Sequence, residues 1–316
     1  MVIKTWQGSD RNAVQRQLAG AAAWYVHERL AKAGRKIGRA ITLGVSYGFT
    51  LNLFSAKLAE IFDRKRVRLL KGARVFNLSG AIAPPVQSAD LTPIAQEKRR
   101  TLQASSLDHA RILAASLGVD LLEYWGPGFI PLDLRDDTAD KSINRSNQLF
   151  DMVLNCYDWN QIFSGACHAA NADLLISGLG SRESYESILD ATHRGASHPV
   201  AGKALAHVAG DISGIALLNS EARLPREVEA LERTVAVQRA MFKRVAAQRR
   251  FGIGSLALAS GDEKAAVVVA ALRSDLISTL CIDERLAVAA LNMMRQATRR
   301  PASAKSLARR PALQRQ

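Results

Sequence analysis

Residues Arg39–Leu58 read RAITLGVSYGFTLNLFSAKL, and the fold turns on them. The first seven are mostly apolar, the composition of a strand buried on both faces. From Thr50 to Asp63 apolar side chains recur at helical spacing. The stretch therefore predicts a strand, a glycine-bracketed turn and an amphipathic helix. The turn, Gly44-Val45-Ser46-Tyr47-Gly48, matches G-x-S-x-G, the pattern that presents a nucleophilic serine. That device needs sheet and an oxyanion loop upstream. Only one short strand candidate, VIKTW, precedes Arg39, and no HGGG-like stretch occurs there. Asp211 and one of several histidines can be assigned as partners on paper, but nothing singles out which histidine. Ser46 is therefore read as a hydrogen-bond donor rather than a nucleophile. Gly44 and Gly48 allow a tight turn, Ser46 and Thr50 offer hydroxyls, and a helix starting near Thr50 adds its positive end. Such a turn suits a phosphate or a polyhydroxy ligand. Glycine turns between strands and helices are also ordinary architecture, and these residues alone do not separate the two readings.

The same alternation continues on both sides. ARVFNLSG, DLLEYWG, ADLLISGLGS, GSLALAS and LISTLCID read as strands. Helical spacing runs from Ser9, a candidate N-cap, to Gly34, from Leu107 to Leu117, and from about Ser146 to Ala170. Interleaved strands and helices predict an α/β fold, a mostly parallel sheet with helices on both faces. Several strands end in Gly, Ser or Asp just before a helix: Ser79-Gly80, Gly178–Ser181, Ser260-Gly261 and Asp283. Ligands of open α/β sheets bind at that carboxyl edge, where loops and helix N-termini converge.

The chain has 316 residues, 48% of them hydrophobic, enough for one large or two small domains. Its best apolar run, Ala265–Leu272, falls far short of the roughly 18 residues of a membrane span. MVIKTWQGSD lacks the order of a secretory signal, and Cys156, Cys167 and Cys281 cannot form a full disulfide set. A soluble cytoplasmic protein is the expectation. Half of the net charge of +14 comes from 295–316, a segment with seven Arg or Lys, no acid and two prolines. We expect a basic disordered tail there, either a solubilising end or a non-specific, salt-dependent phosphate binder. Residues 1–294 form the ligand-binding domain in this reading. RKRVRLLKGAR (Arg64–Arg74) is read as a solvated connection. Cys167, His168, His193 and His198 have no recognised metal spacing, so no metal and no cofactor is expected. Asp283-Glu284 reads as a helix cap. Trp24-Tyr25 and Tyr124-Trp125 are expected to pack against the sheet or a subunit interface.

In order along the chain, these segments resemble the effector-binding domain of the SorC family of sugar-responsive bacterial transcriptional regulators. TLGVSYGFTLNLFSAKLAE is similar to that family's strand, G-x-x-[WY]-G-x-T-L loop and helix. VFNLSGAI resembles its second strand end, ADLLISGLGS its G-[IL]-G-[ST] turn, and HVAGDISGIALLNSEA its G-D-I-x-G segment. FGIGSLALASGDEKAAVVVAALRSDLISTLCIDERLAVAAL resembles its closing blocks. The resemblance spans about Val2 to Leu291. It implies a Rossmann-like domain related to the glucosamine-6-phosphate deaminase, ribose-5-phosphate isomerase and CoA-transferase superfamily. It also implies a sugar or sugar-phosphate effector and a homo-oligomer, dimer or tetramer. The positions it assigns to ligand are Ser46, Gly48 and Thr50 in the first turn, Asn77 and Gly80 at the second strand end, Asp211 toward sugar hydroxyls, and Lys264 toward a phosphate.

Two features depart from that pattern. Family members carry an N-terminal helix-turn-helix, whereas here the effector domain starts almost at Met1. DNA binding is therefore expected only if such a reader lies elsewhere, or non-specifically through the basic tail. Ser260-Gly261-Asp262 replaces a Gly-Gly pair, and Phe49 is bulky within the first loop; either can change which ligand fits. Lys264 follows Glu263 at a helix start, against the helix dipole, which favours an anion-binding role. Three functions are weighed: a non-enzymatic sensor, a sugar-phosphate isomerase or deaminase with Asp211 as general base, and an interaction subunit for full-length family members.

Overall fold

A computed structural model describes residues 1–4, 10–34, 40–65, 72–79, 106–124, 148, 151–153, 155, 172–182, 205–219 and 238–299. In chain order its first half runs β1 (Val2–Ile3), α1 (Arg11–Gly34), β2 (Thr42–Val45), α2 (Phe49–Lys65), β3 (Arg74–Asn77), α3 (Ser106–Leu117) and β4 (Asp120–Leu122). Then follow β5 (Leu174–Gly178), β6 (Gly180–Ser181), β7 (Val208–Ile212), β8 (Ile215–Leu218) and α4 (Arg239–Gln248). The last elements are β9 (Gly254–Ala259), α5 (Ala265–Arg273), β10 (Thr279–Asp283) and α6 (Glu284–Arg299).

Seven strands form one sheet in the order β1-β10-β9-β5-β2-β3-β4, every pair parallel. Their side chains alternate between two cores. Leu43, Val45, Val75, Leu174, Ile176, Leu256, Leu258 and Cys281 join α1, α2 and α3 in one core. Phe76, Leu175, Ala257, Ala259 and Ile282 join α4, α5 and α6 in the other. This period-two split on nearly continuous apolar strands is what a sheet covered on both faces requires, and it bears out the expected fold class. Burial inside the first core pushes the Cys281 thiol up to about 11, so it stays a packed, protonated thiol.

Local chemistry sets the element ends. α1 opens at Asp10, whose carboxylate accepts the Ala13 N–H at 2.6 Å; Ser9, the sequence candidate, lies outside the described residues. Asp283 closes β10 and caps α6 by accepting the Leu286 N–H at 3.0 Å, as its position suggested. The helix continues to Arg299, five residues into the segment read as a tail. Of the expected helix between Ser146 and Ala170, only 148, 151–153 and 155 are described, and 148 and 151–153 are helical.

One part of the fold goes beyond the parallel plan. β6, β7 and β8 form a small antiparallel sheet against α5. Ile212 pairs with Ile215 across the two-residue loop Ser213-Gly214, where both φ angles are positive, at 53° and 80°. That is the signature of a type I′ hairpin turn, whose twist matches its strands.

Candidate functional site

The order of the parallel sheet reverses at β2. β3 and β4 extend it on one side, and the chain then returns to lay β5 along the other. Ligand crevices form outside the carboxyl ends of strands at such a switch point, because the loops diverge there. Here the diverging loops follow Val45 and Gly178, with Ser46 and Ser177 beside their starts.

Ser46 prolongs the β2–β5 ladder by donating its N–H to the Ile176 carbonyl at 2.9 Å. Gly48, at a φ of 132°, turns the backbone into α2 and accepts the first helical bond from the Asn52 N–H at 2.9 Å. Side-chain-bearing residues rarely reach that φ. Thr50 sits in the first turn of α2 and is buried. Gly44 is glycine for another reason than turning: it lies within β2, and a Cβ there would strike Leu78, Phe76 at 2.7 Å and Leu175 at 2.9 Å. Close packing beneath the crevice, rather than backbone freedom, requires it.

Above Ser46 sits the type I′ turn. The Ser213 hydroxyl donates to Ser46 Oγ at 2.7 Å and lies 3.2 Å from Ser177 Oγ. A hydroxyl has one proton, so Ser213 spends its own on Ser46 and accepts from Ser177. The result is a buried relay, Ser177 to Ser213 to Ser46. The Ser46 proton at its end has no acceptor among the described residues. All three hydroxyls belong to residues at most 3% exposed. Asp211 Oδ1 pins the turn by accepting the Gly214 N–H at 3.0 Å.

Two buried groups around the relay lack partners. The Tyr47 phenol oxygen makes no hydrogen bond, and burial, then the Asp211 charge, pushes its pKa well above the ordinary tyrosine value. It is a neutral donor at physiological pH. His109, from α3, donates from Nδ1 to the Ser46 carbonyl at 2.9 Å, while its Nε2 is buried without a partner. Burial lowers its pKa, so the ring is neutral and Nδ1 carries the proton. This imidazole serves the Ser46 backbone and not its hydroxyl. Among the described residues, the Ser46 hydroxyl of the G-x-S-x-G pattern therefore has no general base in place.

The other residues chosen from sequence are more committed to the fold. Asn77 donates from Nδ2 to the Ser79 and Tyr124 carbonyls at 2.8 and 2.9 Å and accepts the Tyr124 N–H at 2.9 Å. It clamps the ends of β3 and β4, with no amide proton left to give. Tyr124 itself is core, whereas Trp24 is 44% exposed on α1 with the Lys65 ammonium over its ring. Gly80 lies outside the described residues. Asp211 is buried in β7, opposite Gly180. Lys264, buried at the end of the 3-10 turn Asp262–Lys264, donates to the Leu179 carbonyl at 3.0 Å. It thus brings its charge to the β5–β6 junction, beside the strand that carries Asp211. Ser177, Ser213, Tyr47 and His109 were not singled out from sequence. The Ser-Gly pair between short apolar runs was the signal for the hairpin. Among the described residues there is no metal-binding cluster and no helix long and apolar enough to cross a membrane.

No protein-family model and no curated protein matches the sequence. Solved structures do match its fold. A domain from Vibrio fischeri, described as the sugar-binding domain of a transcriptional repressor, aligns with a TM-score of 0.60 at 16% identity over 93% of each chain. A DeoR family transcriptional regulator from Listeria monocytogenes aligns at 0.57 and 18% identity over 92% of each chain. The full-length sorbitol operon regulator SorC from Klebsiella pneumoniae aligns at 0.58 and 16% identity, over 92% of this chain and 76% of that one. The chain shares its fold with these structures.

Proposed function

We propose that this chain is the sugar- or sugar-phosphate-binding part of a SorC-type transcriptional regulator, a receptor that holds its ligand without turning it over. The observation that carries the reading is the serine relay at the switch point, which ends in an uncommitted Ser46 proton. An oxygen-rich ligand accepts such a proton, and a partnerless neutral phenol from Tyr47 supplies a second donor close by. Lys264 and the N-terminus of α2 add positive potential suited to a phosphate. The shared fold supports a regulatory setting, in which ligand binding shifts a conformational or assembly equilibrium. DNA contact belongs to a separate reader or, without sequence preference, to the basic residues of 295–316.

A calorimetric and thermal-shift panel of sugars and their phosphates, with product analysis, tests this. The expected result is stabilisation of the full chain without product, with Lys264→Ala weakening a phosphate ester more than tenfold and its parent sugar little. Equal losses for both would remove Lys264 from the phosphate site. Product formation abolished by Asp211→Asn would replace the receptor with an isomerase or deaminase. No response from any sugar would favour an interaction subunit.

A further inference from the structure

Parallel strands of one sheet all start at the same edge, so the helices that lead into them end there too. Three of those ends, on α1, α2 and α4, carry one sign of charge. Arg29 and Lys32 of α1 are exposed, as are Arg64 and Lys65 of α2, and Lys243, Arg244 and Arg249 of α4 and its end. Acids on these helices are few. Glu28 lies 3.9 Å from Lys32, and Glu60 pairs with Lys57 and Arg64, which leaves Asp63. The buried Asp173 holds Arg250. Among the described residues no carboxylate pairs with Arg29, Lys65, Lys243, Arg244 or Arg249. The strip is continuous: α1 packs on α2, and the Arg29 guanidinium lies 3.0 Å from where a β-carbon on Gly252 would stand, in the turn after α4.

Two details set it apart from the basic residues that suit any helix C-terminus. Arg29 stands 5.2 Å from the centre of the Tyr25 ring, and Lys65 5.6 Å from that of Trp24. An aromatic face fixes a cation without neutralising it. Arg249 has φ 41° and ψ 40°, the left-handed conformation that glycine usually fills after a helix. An exposed arginine is thus kept where glycine would be less strained. α3, which ends at the same edge, has no basic residue in its last turn.

We propose that this strip docks the phosphate backbone of duplex DNA without reading its sequence. It is a contact besides a separate reader and residues 295–316, and it holds whether or not the crevice takes a sugar. Five residues, about 7.5 Å of helix, separate Trp24 from Arg29 and Arg244 from Arg249. That spacing is too wide to close on one phosphate or carboxylate. A duplex presents a charge about every 1.7 Å along its axis, so unevenly placed cations all find one. With Arg29 and Lys65 lying over the Tyr25 and Trp24 rings, the strip offers charge rather than a stacking platform for unpaired bases, which favours a duplex over a single strand. The crevice opens at the opposite edge of the sheet, so DNA and ligand can be held together.

Fluorescence anisotropy of the full chain with a labelled duplex of about 24 base pairs, from about 50 to 200 mM KCl, tests it. The expected result is micromolar binding that weakens steeply with salt. The combined variant Lys65→Gln, Lys243→Gln, Arg244→Gln, Arg249→Gly should lose more than about tenfold in affinity, and its log–log salt slope should flatten by about three. All four side chains are exposed, so its melting temperature should hold. The pair Arg16→Gln, Arg285→Gln, exposed elsewhere, should change neither quantity. No binding at any salt, an unaltered slope in the fourfold variant, or an equal loss in the control pair would overturn the proposal. So would binding abolished by Lys305→Gln, Arg309→Gln, Arg310→Gln and Arg315→Gln alone, which would place the contact in the last segment. Displacement of the DNA by polyglutamate at matched charge would assign the strip to acidic proteins instead.

Discussion

The amino and carboxyl edges of the seven-stranded sheet both bury polar side chains, and they treat them differently. At the amino edge the fully buried Asp173 takes the Thr42 N–H at 3.0 Å and the Arg250 guanidinium at 3.1 Å. Ser278 takes the Ser255 N–H at 2.9 Å and returns its proton to the Ile253 carbonyl. Those groups close on the strand starts they tie together, the Ser255 hydroxyl being the exception. At the carboxyl edge the relay from Ser177 ends in an open donor, and the Tyr47 phenol and His109 Nε2 have no partner. A buried polar group without a bond costs stability. An edge that closes on itself is scaffold; the open edge matches the receptor role proposed above.

The largest effect should come from the closed edge. Asp173→Ala removes the acceptor of the Thr42 N–H and an ion-pair partner of Arg250 and should cost about 3 kcal/mol in urea unfolding, leaving ligand selectivity intact. A variant there that altered selectivity at constant stability would break the contrast. At the open edge Ser213→Gly removes a relay hydroxyl while keeping the positive φ, which glycine accepts. Ligand affinity should fall about tenfold with unfolding shifted by less than about 0.5 kcal/mol; the reverse pattern would make Ser213 a scaffold residue. Tyr47→Phe should stabilise the ligand-free protein by about 1 kcal/mol, because it deletes a buried, unbonded hydroxyl, and should weaken ligand binding. A loss of stability instead would mean that the phenol is bonded in the free protein.

The smallest expected effect is on pH dependence. His109 and His27 both have pKa values lowered chiefly by burial, His27 with neither ring nitrogen bonded. Their neutral forms are favoured in the fold, so their contribution is fully present above the ordinary value of 6.5. It is lost as pH falls through that value toward the lower folded ones. Urea midpoints should drop between neutral pH and about pH 5, and His109→Asn should flatten part of that slope. An unchanged slope would assign the dependence elsewhere.

Much of this architecture was legible in the chain. RAITLGV, ADLLISG and GSLALA announce buried strands because residues covered on both faces must be apolar throughout, and Asp283 announces a cap because it precedes a helix. Ser46 was legible as a candidate because a glycine, Gly48, marks the turn that carries it. Ser177 and Ser213 were not. Each looks like an ordinary small residue until the switch point and the hairpin bring positions 46, 177 and 213 together, a juxtaposition that no local pattern encodes. Asn77 and Lys264 carry bonds that the sequence does not announce. Their positions suit a ligand, but their hydrogen bonds to the Ser79, Tyr124 and Leu179 carbonyls appear only once the strand ends are in place.

The pairing of β1 with β10 bears on how the protein is made. Val2 lies beside Ile282 in the sheet, and the Met1 amino group donates to the Leu280 carbonyl at 2.7 Å. During synthesis the first strand leaves the ribosome 280 residues ahead of the strand that receives it. Contacts of such sequence separation form late and slow the search for the native state. Nascent chains lacking β10 carry an unsatisfied edge and incomplete cores, the species that chaperones hold and proteases clear.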